Sequence, residues 1–221
     1  MAEELIIQCD SQGNILGPIS KLKAHAEGFR EKHTHYATWS MIFSTSRKYG
    51  IQLKNPKKHD KHGAGKWDMG VAGHNCYVSK NSILNPMDFS ETLLKEAQEE
   101  VGLNVKVITS LKEFVQLAKI YLTSSSSSSS SKKVQQPDIQ QPIAFFFEKF
   151  HYQTEINNEY VGLAFILTPT TELEFKDQEV VDFQWLSPSE LSAFLKENKN
   201  YCSPLPLVFK KAEKFRKKYL Q

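Results

Sequence analysis

The chain has 221 residues and a mass of 25.3 kDa, enough for a full hydrophobic core. With 40% hydrophobic and 24% charged residues it has a globular composition, which excludes a disordered chain. A formal charge of +3 is too small to argue for a nucleic-acid polymer. No apolar run approaches the roughly 20 residues a membrane helix needs. Acidic residues near Met1, where a secretory signal needs basic ones, add to the expectation of a soluble cytoplasmic protein. Three scattered cysteines (Cys9, Cys76, Cys202) suit neither a disulfide framework nor a zinc site and read as free thiols.

In chain order, residues 5–9 read as a strand, Asp10 to Asn14 as a turn, and 14–17 as a second extended piece. Residues 36–44 and 49–53 are rich in strand formers. Residues 54–66 hold five lysines (Lys54, Lys57, Lys58, Lys61, Lys66) and read as a polar loop able to attract a diphosphate. Residues 67–71 return to a strand, with Gly73 allowing a close approach.

The clearest helix runs over 91–101. Asp88 and Ser90 are its N-cap candidates, and Gly102 takes the position after its end. Leu94, Ala97 and Val101 form its expected apolar stripe. Strands are expected at 103–108, 145–152, 160–168 and 179–185. Ser187-Pro188-Ser189-Glu190 is a capping box that starts a helix through Leu195, and 204–220 reads as a terminal amphipathic helix. Between 123 and 142 lies a Ser/Gln-rich insertion, expected to be disordered, with eight consecutive serines. The order of elements predicts a single α+β domain over 1–221, a mixed sheet sandwiched between helices.

The 91–101 helix carries the chemistry. Glu96, Glu99 and Glu100 stand at i, i+3 and i+4, so they share one side, expected to lie opposite the apolar stripe. Like charges at that spacing repel, and a divalent cation would compensate them. Magnesium suits carboxylates, water and phosphate oxygens together.

Lys95-Glu96-Ala97-Gln98-Glu99-Glu100-Val101-Gly102-Leu103 resembles the second half of the Nudix box, R-E-U-x-E-E-x-G-U with U aliphatic. Gly65 to His74 resembles the strand and turn entering the box in one Nudix branch. Glu179 to Leu191 resembles the strand, cap and helix that close many such domains. The resemblance runs from about Leu5 to Leu195. It implies the Nudix fold, with Glu96, Glu99 and Glu100 as ligands of Mg2+ or, in its place, Mn2+. It also implies hydrolysis of a diphosphate linked to another moiety, a small-molecule substrate, and one of Glu96, Glu99, Glu100, Glu159 or Glu179 orienting or deprotonating the water. Lys66, His35 and His74 are candidate substrate contacts. The first half of the box departs from the pattern: Met87 stands where the family has glutamate, with extra residues at about 77–83.

Asp10–Gly13, Lys23 to His25, Thr34 to Tyr36, Gly73-His74 and Asn157 to Phe165 resemble the isopentenyl-diphosphate isomerase branch. That branch implies one metal on three histidines, mapping to His25, His35 and His74, and two glutamates. One glutamate maps to Glu159; the other falls at Asn157. The catalytic cysteine falls at Ala72. These losses argue against isomerase chemistry. They leave His25 and His35 read as strand histidines bonded to backbone. His33, His59, His62 and His151 read as surface residues, Trp67 and Trp185 as core, and Tyr77 and Phe89 as candidate pocket residues. Two alternatives to the hydrolase stand: an inactive diphosphate-binding module and an allylic diphosphate isomerase. Oligomeric state is not readable from the sequence.

Overall fold

The computed structural model describes residues 3–57, 62–124 and 141–220. Lys58, His59, Lys61 and most of the expected insertion lie outside the described residues. The strands are β1 (Leu5–Cys9), β2 (Ile15–Ser20), β3 (His35–Ser44), β4 (Tyr49–Lys54), β5 (Trp67–Met69), β6 (Val71–His74), β7 (Tyr77–Lys80), β8 (Ile83–Pro86), β9 (Lys106–Val107), β10 (Ile143–Thr154), β11 (Asn157–Thr168) and β12 (Val180–Leu186). The helices are α1 (Lys21–Ala24), α2 (Phe89–Glu100), α3 (Leu111–Ser124), α4 (Pro188–Glu197) and α5 (Leu205–Tyr219). The fold is α+β with a mixed sheet in the order β12-β4-β3-β11-β10-β9, where β9 and β10 pair in parallel and β4 pairs antiparallel with β3, β5 and β12.

The chain divides into two compact units. The first comprises Met1–Trp39, Ala72–Glu96 and Phe147–Ala164; the second comprises Ser40–Val71, Ala97–Phe146 and Phe165–Gln221. In the first unit β1 pairs with β2 and, through Gln8 and His35, with β3. Ile6, Ile19 and Ala24 form a small core there, with Cys76 packed against it. In the second unit Phe215 of α5 lies 4.8 Å from Phe165 of β11 and 6.0 Å from Phe114 of α3, ring centre to ring centre. Tyr49, Phe114, Phe165 and Phe215 are among the largest fully buried side chains.

Local rules read in the sequence recur as hydrogen bonds. Asp88 accepts from the Glu91 amide while Glu91 accepts from the Asp88 amide, which caps α2 reciprocally. Ser187 and Glu190 do the same for α4. Gly102 ends α2 at φ +71°, a left-handed conformation that glycine adopts without strain.

Other expectations are corrected. The expected 103–108 strand is hydrogen-bonded as a strand only over β9. The expected 67–71 strand is two strands, β5 and β6, separated at Gly70. A Cβ at Gly70 would overlie Ile42 at 2.5 Å, so glycine is needed where the strands separate. The extra residues at 77–83 are part of an antiparallel hairpin, β7–β8. In α2 Ala97 and Val101 are buried as expected, but Leu93 joins them in place of Leu94, which is 39% exposed. Trp67 is buried in the core as expected, whereas Trp185 is half-buried and donates from its indole to the Thr171 carbonyl at 3.2 Å.

Candidate active site: a carboxylate helix and an imidazole cluster

The buried stripe of α2 includes two of its acids. Glu96 is 9% exposed and Glu100 1%, with Ala97 and Val101 buried beside them; Glu99 is half-buried. The carboxylates therefore belong to the inward side of the helix, not to a face opposite the apolar stripe. Burial of a carboxylate is unfavourable unless charge and hydrogen bonds compensate it. In the first unit Lys95 meets Glu96 at 3.1 Å, and Glu96 lies over Gly73 of β6 so closely that a Cβ there would overlap its Cγ and Cδ. The glycine is what lets the carboxylate lie against the strand.

In the second unit Glu100 accepts from the side-chain amide of Gln52, whose Nε2 stands 3.3 Å from each carboxylate oxygen. Gln52 pairs across the strands with Asp68 of β5. Lys54, on the same face of β4 by strand alternation, meets Asp68 at 3.2 Å. Burial works to lower the Lys54 pKa, but Asp68 and then Glu100 outweigh it and raise it, so Lys54 stays charged. The Glu99 backbone carbonyl accepts from Lys176, and Lys66 is half-buried with its own carbonyl accepting from Lys54.

The first unit holds a second cluster. His25, His35 and His74 offer ring nitrogens that all lie within 4.8 Å of one another. Each of His25 and His35 bonds backbone through Nδ1, to Lys21 O at 2.7 Å and to His33 O at 3.1 Å. That part of the expectation holds, but the rings do not stand alone. His25 Nε2 lies 3.2 Å from His74 Nε2, and the buried His35 Nε2 is 3.9 Å from a Glu159 oxygen. His35 Nε2 has no hydrogen-bond partner among the described residues. Burial, first, pushes His25 and His35 down to about 4, so both are neutral near pH 7. Neutral imidazole is the ligand form, and a backbone bond on the other nitrogen is how protein ligands are oriented. Two metal–nitrogen bonds of about 2.0–2.1 Å on one tetrahedral ion place their nitrogens about 3.3 Å apart, close to the His25–His74 separation. The donor set fits a divalent ion that favours imidazole, such as zinc.

Strand alternation separates Glu96 from these rings. Gly73, against which Glu96 lies, and His74 are adjacent in β6 and face opposite sides. Cys76, the thiol nearest to Ala72 in sequence, donates to Glu4 at 3.1 Å, and burial pushes it up to about 12, so it is no nucleophile. Phe89 is buried against Tyr36, at 4.8 Å between ring centres, and against Gly162, so it fills the core rather than lining an open pocket. Tyr77 is half-buried on β7. His33 bonds Gln8, and His151 bonds Asn158 at 2.7 Å, so neither is a plain surface residue. The imidazole cluster joins residues far apart in the chain. Only the family resemblance pointed to it; nothing in composition or periodicity does.

No helix among the described residues is long and apolar enough to cross a membrane. No family model matches the chain, and no curated protein sequence matches it. Among solved structures, it is similar to the DR0079 protein of Deinococcus radiodurans, with a TM-score of 0.59 and 12% identity over 94% of this chain and 98% of that one. It is also similar to the MutT protein of Methanosarcina mazei Go1 (TM-score 0.49, 10% identity, covering 82% and 94%). A NUDIX-family hydrolase from Clostridium perfringens gives a TM-score of 0.47 at 16% identity, covering 81% and 96%. At such identities likeness speaks for fold and not for chemistry, and what the first of these establishes is a shared fold over nearly the whole of both chains.

Proposed function

We propose that the chain is a divalent-metal-dependent hydrolase of Nudix type that cleaves a diphosphate linked to another moiety. The observation that carries this reading is the burial of two carboxylates, Glu96 and Glu100, on one side of the helix whose sequence resembles the Nudix box. Glu96, Glu99 and Glu100 are the residues we assign to hold Mg2+, or Mn2+ in its place. When bound, such an ion supplies charge stabilisation for the departing phosphate oxygen and makes water more acidic. Glu99, half-buried and on the same two turns, is the group we assign to take the proton of the attacking water; Glu100 accepts from the Gln52 amide. Glu159 stands beside His35, and its part is with the imidazoles.

The close approach of His25 and His74 favours a second, imidazole-based metal centre, completed by His35 and Glu159. It would take zinc or a similar ion. With alanine at position 72 we assign it no isomerase chemistry.

Phosphorus NMR on nucleotide sugars, dinucleotides, nucleoside diphosphates and prenyl diphosphates tests the proposal. The expected result is Mg2+-dependent cleavage of one class, abolished by chelation. Line broadening without cleavage would mark a binding module, and interconversion of prenyl diphosphates would mark an isomerase; either contradicts the hydrolase.

A further inference from the structure

The buried polar cluster of the second unit has a member that the proposed chemistry does not use. Gln52 is wholly buried on β4. Its Nε2 reaches both oxygens of Glu100 at 3.3 Å, while its Oε1 has no hydrogen-bond partner among the described residues. A buried amide that satisfies only its donor end is an unfavourable choice for a core position, where an apolar side chain of the same length would fill the space. Charge compensation does not explain it, because the cation of this cluster is Lys54. What the amide adds is direction. An amide nitrogen set midway between the two oxygens directs one N–H between them and fixes the way the carboxylate faces, which an ion pair alone does not do.

We infer that Gln52 is a positioning residue that holds the Glu100 carboxylate in the orientation in which it binds a divalent cation. This rests on the proposed assignment of Glu100 as a metal ligand. Partners that orient a ligand typically contribute about 10–100-fold to metal affinity.

The test is isothermal titration of the full chain with Mg2+ alone, for wild type, Gln52→Met, Gln52→Asn and Glu100→Gln, with a thermal melt of each. Magnesium is the probe because three neutral imidazoles compete poorly for it. Gln52→Met keeps the length and volume of the side chain and removes its donors. Gln52→Asn keeps the amide but withdraws it by one methylene. Both variants are expected to bind Mg2+ about 10–100-fold more weakly than wild type, with Gln52→Met melting within a few degrees of it. A Gln52→Met protein that binds Mg2+ as tightly as wild type would overturn the inference and leave the hydrolase reading intact. A Glu100→Gln protein that binds as tightly as wild type would overturn both.

Discussion

The imidazole cluster and the Glu100 cluster are opposite solutions to the same difficulty, the burial of polar donors. In the first unit, burial makes His25 and His35 neutral, and Glu159 is the carboxyl group beside His35. In the second unit Lys54 keeps its charge: Asp68 lies 3.2 Å from it, and the Gln52 amide donates to Glu100. Neutral nitrogen donors select ions that favour imidazole, while hard carboxylate oxygens select magnesium. Burial alone therefore does not identify a metal site; what compensates the buried group tells which ion the site can take.

The comparison is broken most forcefully at Lys54. Lys54→Met leaves the buried Asp68 and Glu100 without their neighbouring cation and is expected to destabilise the protein by about 3–5 kcal/mol, read by urea unfolding. A loss below about 1 kcal/mol would mean that the cluster is solvated. On the imidazole side, Zn2+ at 100 times its dissociation constant should stabilise wild type by about 2.7 kcal/mol and leave His35→Ala unaffected. Equal stabilisation of both proteins would dissolve the cluster as a site.

Gly73→Ala probes the face of β6 opposite His74. The new Cβ overlaps the flexible end of Glu96, so the carboxylate moves and the backbone stays. Catalytic efficiency should fall about 10–100-fold, equivalent to about 1.4–2.7 kcal/mol, with little change in melting temperature. A large drop in melting temperature with unchanged turnover of the folded fraction would reverse that reading. The smallest effect belongs to Asp88→Ala, which removes one half of the reciprocal cap of α2 and should cost about 1 kcal/mol in denaturant titration.

What could be read in the sequence was local. The caps at Asp88 and Ser187 and the glycine after α2 follow from bonds within a few residues. The α3 helix was equally local and was missed. Ser110 accepts from Glu113 at its start, and Phe114, Ala118 and Leu122 are buried at helical spacing. The β7–β8 hairpin turns at Asn81 and Ser82, with φ of 54° and 65°; asparagine at the turn was its one signal. The convergence of His25, His35 and His74 was legible only through resemblance, because the end of α1, the start of β3 and the end of β6 meet through tertiary structure. The burial of Glu96 and Glu100 is not legible in their spacing, because carboxylates at helical spacing ordinarily face water, whereas here Gly73 and Gln52 provide for them inside.

The most direct test of the hydrolase reading compares Glu100→Gln with His35→Ala on the diphosphate that wild type cleaves, in Mg2+, with kcat/KM measured for each. The carboxylate assignment predicts a loss of about 10²–10⁴ for Glu100→Gln and of less than about tenfold for His35→Ala. Unchanged turnover in Glu100→Gln, with the large loss falling on His35→Ala, would contradict it and place the chemistry on the imidazoles.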